Sequence, residues 1–232
     1  MTFLVVTAVA AERDAVLGGL GGLGGLAELV EESRGPRPEQ PPVRILVGGI
    51  GAAAAAARTA HEMAAFAFAT GHAYEAVLNF GIGGGYAGRA AVGDTVIGAR
   101  TVAADLGAES PAGFLTMADL GFGTDTIHAD ERLVAAMTDL MPAAIVGAVL
   151  TLQNVTGTAA RATDLAERHP DAVAEAMEGF GVATAAALHG IAFMEVRTVS
   201  NLVGPRDRSA WRIGPAMAAL TTAARALATL VG

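Results

Sequence analysis

Residues 76–85 read Ala-Val-Leu-Asn-Phe-Gly-Ile-Gly-Gly-Gly. The first five are apolar apart from one Asn, the pattern of a short strand buried on both faces of a sheet, and they predict a strand over Ala76–Phe80. The glycines that follow, Gly81 to Gly85, suit a strand end where backbone N–H groups come close to a ligand. Two other segments repeat the pattern. Val43–Val47 runs into Gly48-Gly49-Ile50-Gly51, and Ala192–Ser200 runs into Asn201. In open α/β sheets the ligand crevice lies outside the carboxyl ends of the strands, so three such ends place a site there. Each loop taken alone serves equally as a tight strand-to-helix turn.

Working outward, strands alternate with helical segments, which predicts a largely parallel or mixed sheet covered on both faces. Further strands are expected over Phe3–Ala8, Asp94–Val102, Gly113–Met117, Ala143–Leu152 and Asp171–Ala176. Helices are expected over Ala10–Glu32, 52–69, Leu133–Met141, Thr158–Arg168, Glu178–His189 and Trp211–Leu230. The glycine pairs within 18–25 weaken the first helix. Ser33–Pro42, with its prolines, reads as a loop, as does the stretch through Gly107 and Pro111. No repeat, charge block or linker divides the chain, so residues 1–232 read as one domain.

Composition narrows the chemistry. There is no Cys and no Lys, and all 15 basic residues are Arg. That removes thiol nucleophiles, Schiff bases and a P-loop lysine. A formal charge of −8 with no basic stripe argues against nucleic acid as a partner. Every long apolar segment is interrupted by Gly, Arg, His or Glu within about 20 residues, so no membrane span is expected. The N-terminus lacks the basic lead of a signal peptide, and a cytoplasmic location is expected. The five His residues, at 61, 72, 128, 169 and 189, are scattered without metal-ligand spacing, so no metal is expected. Neither glycine loop has the spacing and following helix of a dinucleotide fingerprint, and no G-x-S-x-G elbow is present. A small molecule is the expected partner.

Three places carry candidate chemistry. Glu12, just beyond the first strand, is either a first-turn carboxylate favoured by the helix dipole or a general base for a water. Glu178, in Met177-Glu178-Gly179, either caps a helix or accepts two hydrogen bonds from a vicinal diol, with Met177 offering an apolar surface to a sugar face. Ser200-Asn201-Leu202-Val203-Gly204-Pro205-Arg206-Asp207-Arg208 places polar groups after a buried strand, where a solvated Arg–Asp loop is the plainer reading. Trp211 reads first as core and second as a pocket wall.

In order, the strand-end Glu12, the G-I-G at 49–51, N-F-G-I-G-G-G at 79–85, M-E-G at 177–179 and V-R-T-V-S-N at 196–201 resemble the nucleoside phosphorylase and hydrolase superfamily over nearly the whole chain. That resemblance implies a three-layer α/β/α sandwich around a twisted mixed sheet, assembled as dimers or larger homo-oligomers. Methylthioadenosine nucleosidases of the superfamily carry Ser-Asp where this chain has Ser200-Asn201. Asn cannot give a proton to a departing purine, though its amide can hydrogen-bond N7 or a 6-oxo group, which points from adenosine derivatives toward inosine-like ones. Asn154–Thr158, Met177–Phe180 and the Ser200 to Trp211 stretch resemble the futalosine hydrolases in particular. The implied reaction is hydrolysis of an N-glycosidic bond, releasing hypoxanthine, with no cofactor. Glu12 would activate water, Glu178 and Met177 would hold the ribose, and Asn201 would stabilise the base, with Asp207 a candidate proton donor. Gly83, Gly84, Val155 and Thr156 would line the base and sugar pocket. Arg206 or Arg208 would meet the benzoate of the 5′ extension, with Arg44 or another subunit as alternatives. Phosphorolysis is the nearest rival. A non-catalytic nucleoside-binding protein would have no use for Glu12.

Overall fold

A computed structural model describes residues 2–21, 27–30 and 41–231. Strand β1 (Phe3–Thr7) leads into α1 (Ala10–Gly19), and then come β2 (Ala27–Leu29), β3 (Val43–Val47) and α2 (Ala52–Thr70). The centre of the chain holds β4 (Ala76–Gly85), β5 (Thr95–Ala103), β6 (Gly107–Ser110), β7 (Gly113–Thr116), β8 (Thr126–His128) and α3 (Glu131–Leu140). The remainder is β9 (Ile145–Thr151), α4 (Ala159–Arg168), β10 (Ala172–Ala176), α5 (Gly179–Leu188), β11 (Ala192–Leu202) and α6 (Ile213–Val231).

The main sheet is mixed, in the order β10-β9-β5-β11-β4-β1-β3-β2, with β8 paired to β5. β1, β3, β4 and β11 run parallel, as continuous apolar strands covered on both sides should. β10 also pairs antiparallel with the glycine end of β4, Glu175 opposite Gly84 and Ala174 opposite Gly85. The sheet therefore curls until strands far apart in its order meet.

On one face α1, α3 and α6 cover the sheet. Val16, Leu20, Met137, Leu220 and Leu227 pack there against Val5, Leu78 and Met194. On the other face α2 and α5 cover Leu4, Val6 and Val77. α5 presses so closely on α2 that a Cβ at Gly181 would lie on the backbone of Ala52. Helices on both faces of a mixed sheet make the expected α/β/α sandwich.

Several boundaries differ from the sequence reading. The helix expected over Ala10–Glu32 ends at Gly19, where glycine makes helix propagation costly. Its later part lies partly outside the described residues and partly in β2, a short strand that extends the parallel edge. Most of the expected Ser33–Pro42 loop also lies outside them. Gly107–Ser110 is no loop but half of a two-stranded ribbon with β7. The expected strand Ala76–Phe80 continues through its glycines to Gly85, because β11 pairs with it along its whole length. α6 is apolar and long enough by composition to cross a membrane, contrary to the expectation. It lays Ala216, Leu220, Ala223, Ala224 and Leu227, all buried, against the core.

Candidate active site

A cavity of about 320 Å³ opens at the carboxyl ends of β1, β4, β10 and β11. That volume suits a small organic ligand. Glu12, Gly83, Gly84, Val155, Thr156, Met177, Glu178, Asn201 and Arg206 all line it, and so do Glu175, Ile50 and Trp211.

Glu12 sits in the first turn of α1 and is 3% exposed. Its Oε2 accepts from the Ala8 N–H at 2.9 Å and the Val9 N–H at 3.3 Å, while Oε1 accepts from the Ile82 N–H at 2.9 Å. One oxygen serves the helix start, and the other is fixed against β4 at the cavity wall. Burial pushes its carboxyl above the usual range, partly offset by the Arg197 charge and the Ile82 and Ala8 hydrogen bonds.

Glu178 stands at the N-cap of α5 without capping it through its side chain. Oε1 instead accepts from the Gly51 N–H at 3.1 Å, and Oε2 meets Arg197 Nη1 at 3.3 Å. Gly51 holds a φ of 88°, a conformation that glycine alone adopts readily. The glycine loops therefore work differently from the expectation. Their N–H groups position carboxylates, Gly51 for Glu178 and Ile82 for Glu12, and the Gly81–Gly85 backbone is committed to strand pairing.

The residue that ties these acids together, Arg197, carries no role in the sequence reading. It is 1% exposed, and its guanidinium bonds Glu195 Oε1 at 2.7 Å, Glu178 Oε2 at 3.3 Å and the Asn79 side-chain oxygen. A Cβ at Gly81 would lie 2.6 Å from Arg197 Nη1 and 2.8 Å from Glu12 Oε1, so both groups converge over that glycine. One guanidinium faces three carboxyl groups, Glu12, Glu178 and Glu195, and burial raises the carboxyls of Glu12 and Glu195 while the Arg197 charge restrains both. The signal was present in the sequence. Glu195 and Arg197 are spaced i, i+2 in an apolar strand, which puts opposite charges on one buried face.

At the end of β11 a register shift between Val199 and Asn201 re-aims the strand. The Ser200 hydroxyl lies 2.8 Å from Asn201 Oδ1 and 3.2 Å from the Gly83 carbonyl. Asn201 Nδ2 donates to the Leu202 carbonyl at 3.0 Å, which leaves its second N–H for a ligand.

Asp207 is not brought to the cavity. Its Oδ1 accepts from the Ser209 N–H at 2.9 Å and the Ser209 hydroxyl at 2.6 Å, capping a short 3₁₀ turn. Those hydrogen bonds hold its carboxyl below the usual range. It is therefore ionised at neutral pH and has no proton to give a leaving base. Trp211, read first as core, instead stands at the cavity with the Arg206 guanidinium 5.1 Å from its ring centre. Arg208 stacks on the same ring at 5.9 Å. Arg44 is committed elsewhere, to Glu62 at 3.1 Å and Glu28 at 3.7 Å. Arg89, next to the glycine run, donates to the carbonyls of His169, Ala172 and Ala166. Among the described residues no group of acids and histidines could hold a metal ion.

The chain belongs to the phosphorylase superfamily, whose family model matches residues 37–232. It is 51% identical over 231 residues to futalosine hydrolase from Streptomyces coelicolor, covering 100% of this chain and 97% of that protein. It is 44% identical over 228 residues to futalosine hydrolase from Acidothermus cellulolyticus, covering 97% and 89%. The fold matches the solved futalosine hydrolase of Helicobacter pylori with a TM-score of 0.78 at 16% identity, covering 100% of this chain and 97% of that one. It also matches the Neisseria meningitidis methylthioadenosine/S-adenosylhomocysteine nucleosidase bound to methylthio-immucillin-A, with a TM-score of 0.76 at 20% identity and 99% and 98% covered.

Proposed function

We propose that this chain is a futalosine hydrolase: water cleaves the N-glycosidic bond of futalosine and releases hypoxanthine and dehypoxanthine futalosine, a step of menaquinone biosynthesis. The observation that carries the reading is Glu12, a buried carboxylate fixed by three backbone N–H groups at the cavity wall. The two full-length relatives of that name support the substrate.

Glycosidic cleavage develops positive charge at C1′ in an oxocarbenium-like transition state. The carboxylates of Glu12 and Glu178, both at the cavity wall, stabilise that charge. Glu12 takes a proton from the attacking water. Glu178 still has lone pairs free beside its bonds to Gly51 and Arg197, and these accept the ribose hydroxyls above Met177. The free Asn201 N–H meets the departing base, whose proton comes from solvent once Asp207 is set aside. Arg206, stacked on Trp211 at the cavity, supplies a cation for the benzoate of the 5′ extension. The acids also disfavour phosphate as nucleophile, and among the described residues Arg89, beside the glycine run, is committed to backbone carbonyls. A cytoplasmic, homo-oligomeric enzyme is part of the same proposal. Phe68 on α2 and Leu188 on α5, 95% and 81% exposed, are apolar positions that a second subunit would cover.

Purified protein is expected to release hypoxanthine from futalosine at a rate unaffected by phosphate. Phosphate-dependent release would instead make it a phosphorylase, and adenine from methylthioadenosine would overturn the argument from Asn201. Glu12 must be ionised to act as a base, and its burial raises its pKa. The kcat/KM profile should therefore fall on the acid side with a midpoint above the ordinary glutamate value of about 4.3. A limb at or below that value would separate Glu12 from the base role.

A further inference from the structure

Glu195, fully buried within β11, does not line the cavity and takes no part in the mechanism above. The pairing of β11 with β4 sets Glu195 opposite Asn79 and Arg197 opposite Gly81. Two residues apart in one strand, Glu195 and Arg197 share a face. Each edge of the guanidinium then has its own partner. Nε donates to Glu195 Oε1 at 2.7 Å, Nη2 to the Asn79 side-chain oxygen, and Nη1 to Glu178 Oε2 at 3.3 Å. The Nη1 edge also faces Glu12 across Gly81.

The chain makes room for this acid. α5 begins at Gly179, and a Cβ there would lie on the Glu195 carboxylate. The glycine of Met177-Glu178-Gly179 therefore serves Glu195 and not the cavity, which it does not line. The positive end of the α5 dipole falls on the same carboxylate and favours its ionised form. So does a bond of 2.7 Å to a guanidinium, within the range of charge-assisted pairs. Burial raises the Glu195 carboxyl, and the Arg197 charge opposes that rise.

Orientation of Arg197 alone needs no third acid. Asn79 holds one guanidinium edge through an amide oxygen, and Glu12 and Glu178 already offer two carboxyls to one cation. A further buried acid adds a desolvation cost, and what it contributes beyond an amide is its charge. Without that charge the whole of Arg197 would act on Glu12 and Glu178. An opposite charge so close lowers the pKa of a carboxyl and weakens it as a base. We propose that Glu195 is a positioning residue for the reaction: it holds Arg197 from behind and offsets its charge, so that the guanidinium orients Glu178 while Glu12 keeps the strength of a base. The charged groups facing Glu12 are Arg197 and Glu178, and the same two face Glu195, with the Thr101 hydroxyl of β5 beside it. The inference rests on the proposed hydrolase reading and deepens it.

The test is the pH profile of kcat/KM for futalosine in the wild type, Glu195→Gln and Gly179→Ala. In Glu195→Gln the amide oxygen can still accept the Arg197 Nε–H, so the guanidinium keeps its place and loses only the offsetting charge. The acid limb set by Glu12 should then move down by about 1 pH unit. The plateau should fall by about 3–10-fold, as a weaker base requires. Gly179→Ala removes no charge and suits a helix, but its methyl group pushes the Glu195 carboxylate off Arg197. Its limb should move in the same direction by less. A limb that stays at the wild-type position or rises, in either variant that melts as a folded protein, overturns the inference whatever activity is lost, and leaves Glu195 as a structural partner of Arg197. Wild-type protein that releases no hypoxanthine from futalosine would instead remove the hydrolase reading itself.

Discussion

Glu12→Gln is expected to lower kcat for futalosine hydrolysis by about 10³-fold, within the usual range for loss of a general base. The substitution keeps the shape and removes the basic lone pair. Its effect on stability should be small because two terms oppose each other. One end of the amide must turn a donor toward either the Ile82 N–H or the Ala8 and Val9 N–H groups, which all donate already. An unmade buried hydrogen bond of this kind costs about 1–3 kcal/mol. Against that, a charge leaves a cluster in which Arg197 faces three carboxylates, and the burial penalty on Glu12 disappears. Thermal unfolding together with single-turnover hydrolysis separates the two effects. Retention of more than a tenth of wild-type kcat, in a variant that melts normally, would mean that another group activates the water.

The second large effect is expected at Arg197. Arg197→Met keeps a long side chain but leaves Glu178 and Glu195 without their buried cation. Removing one partner of a buried ion pair typically costs about 3–5 kcal/mol, a large share of a domain's total stability. The pH dependence should be diagnostic. Burial raises the carboxyls of Glu12 and Glu195, and the Arg197 charge is what restrains both. Without it their folded-state pKa values rise further above the unfolded ones. Between those limits the folded state binds more protons than the unfolded state, so stability falls as pH rises through the window. The variant should therefore be more stable at mildly acidic pH than at neutral pH, by more than the wild type is. Denaturant midpoints at two pH values decide it, and an unchanged difference would show that Arg197 carries little of the cluster's charge balance.

How much of the site was legible follows from which residues local pattern can expose. Glu12, Glu178 and Asn201 stand at strand ends or helix starts, where a polar residue after an apolar run is conspicuous, and all three line the cavity. Arg197 and Glu175 sit inside strands, where one charge among apolar neighbours shows that it is buried but not what it meets. Arg197 meets Asn79, 118 residues away in the chain, and Glu175 meets Tyr86, 89 away. No local rule pairs residues so distant. Asp207 failed in the opposite way. It stands beside the right motif, but its nearest donors belong to Ser209, two residues on, and a short local cap outcompetes a reach into the cavity.

The sequence by itself determined the alternation of strands and helices, the layered sheet, and the ends of the strands as the place for chemistry. Those features depend on hydrophobic period and on glycine, which act over a few residues at a time. The tertiary structure alone decided that Gly81–Gly85 continues a strand. It decided too that the sheet curls to set β10 beside β4, bringing Glu175 and Asn201 together over Gly84. The reason is the same in each case. Strand pairing and charge neutralisation are contacts between distant segments, and their energies exist only once the chain has brought those segments together.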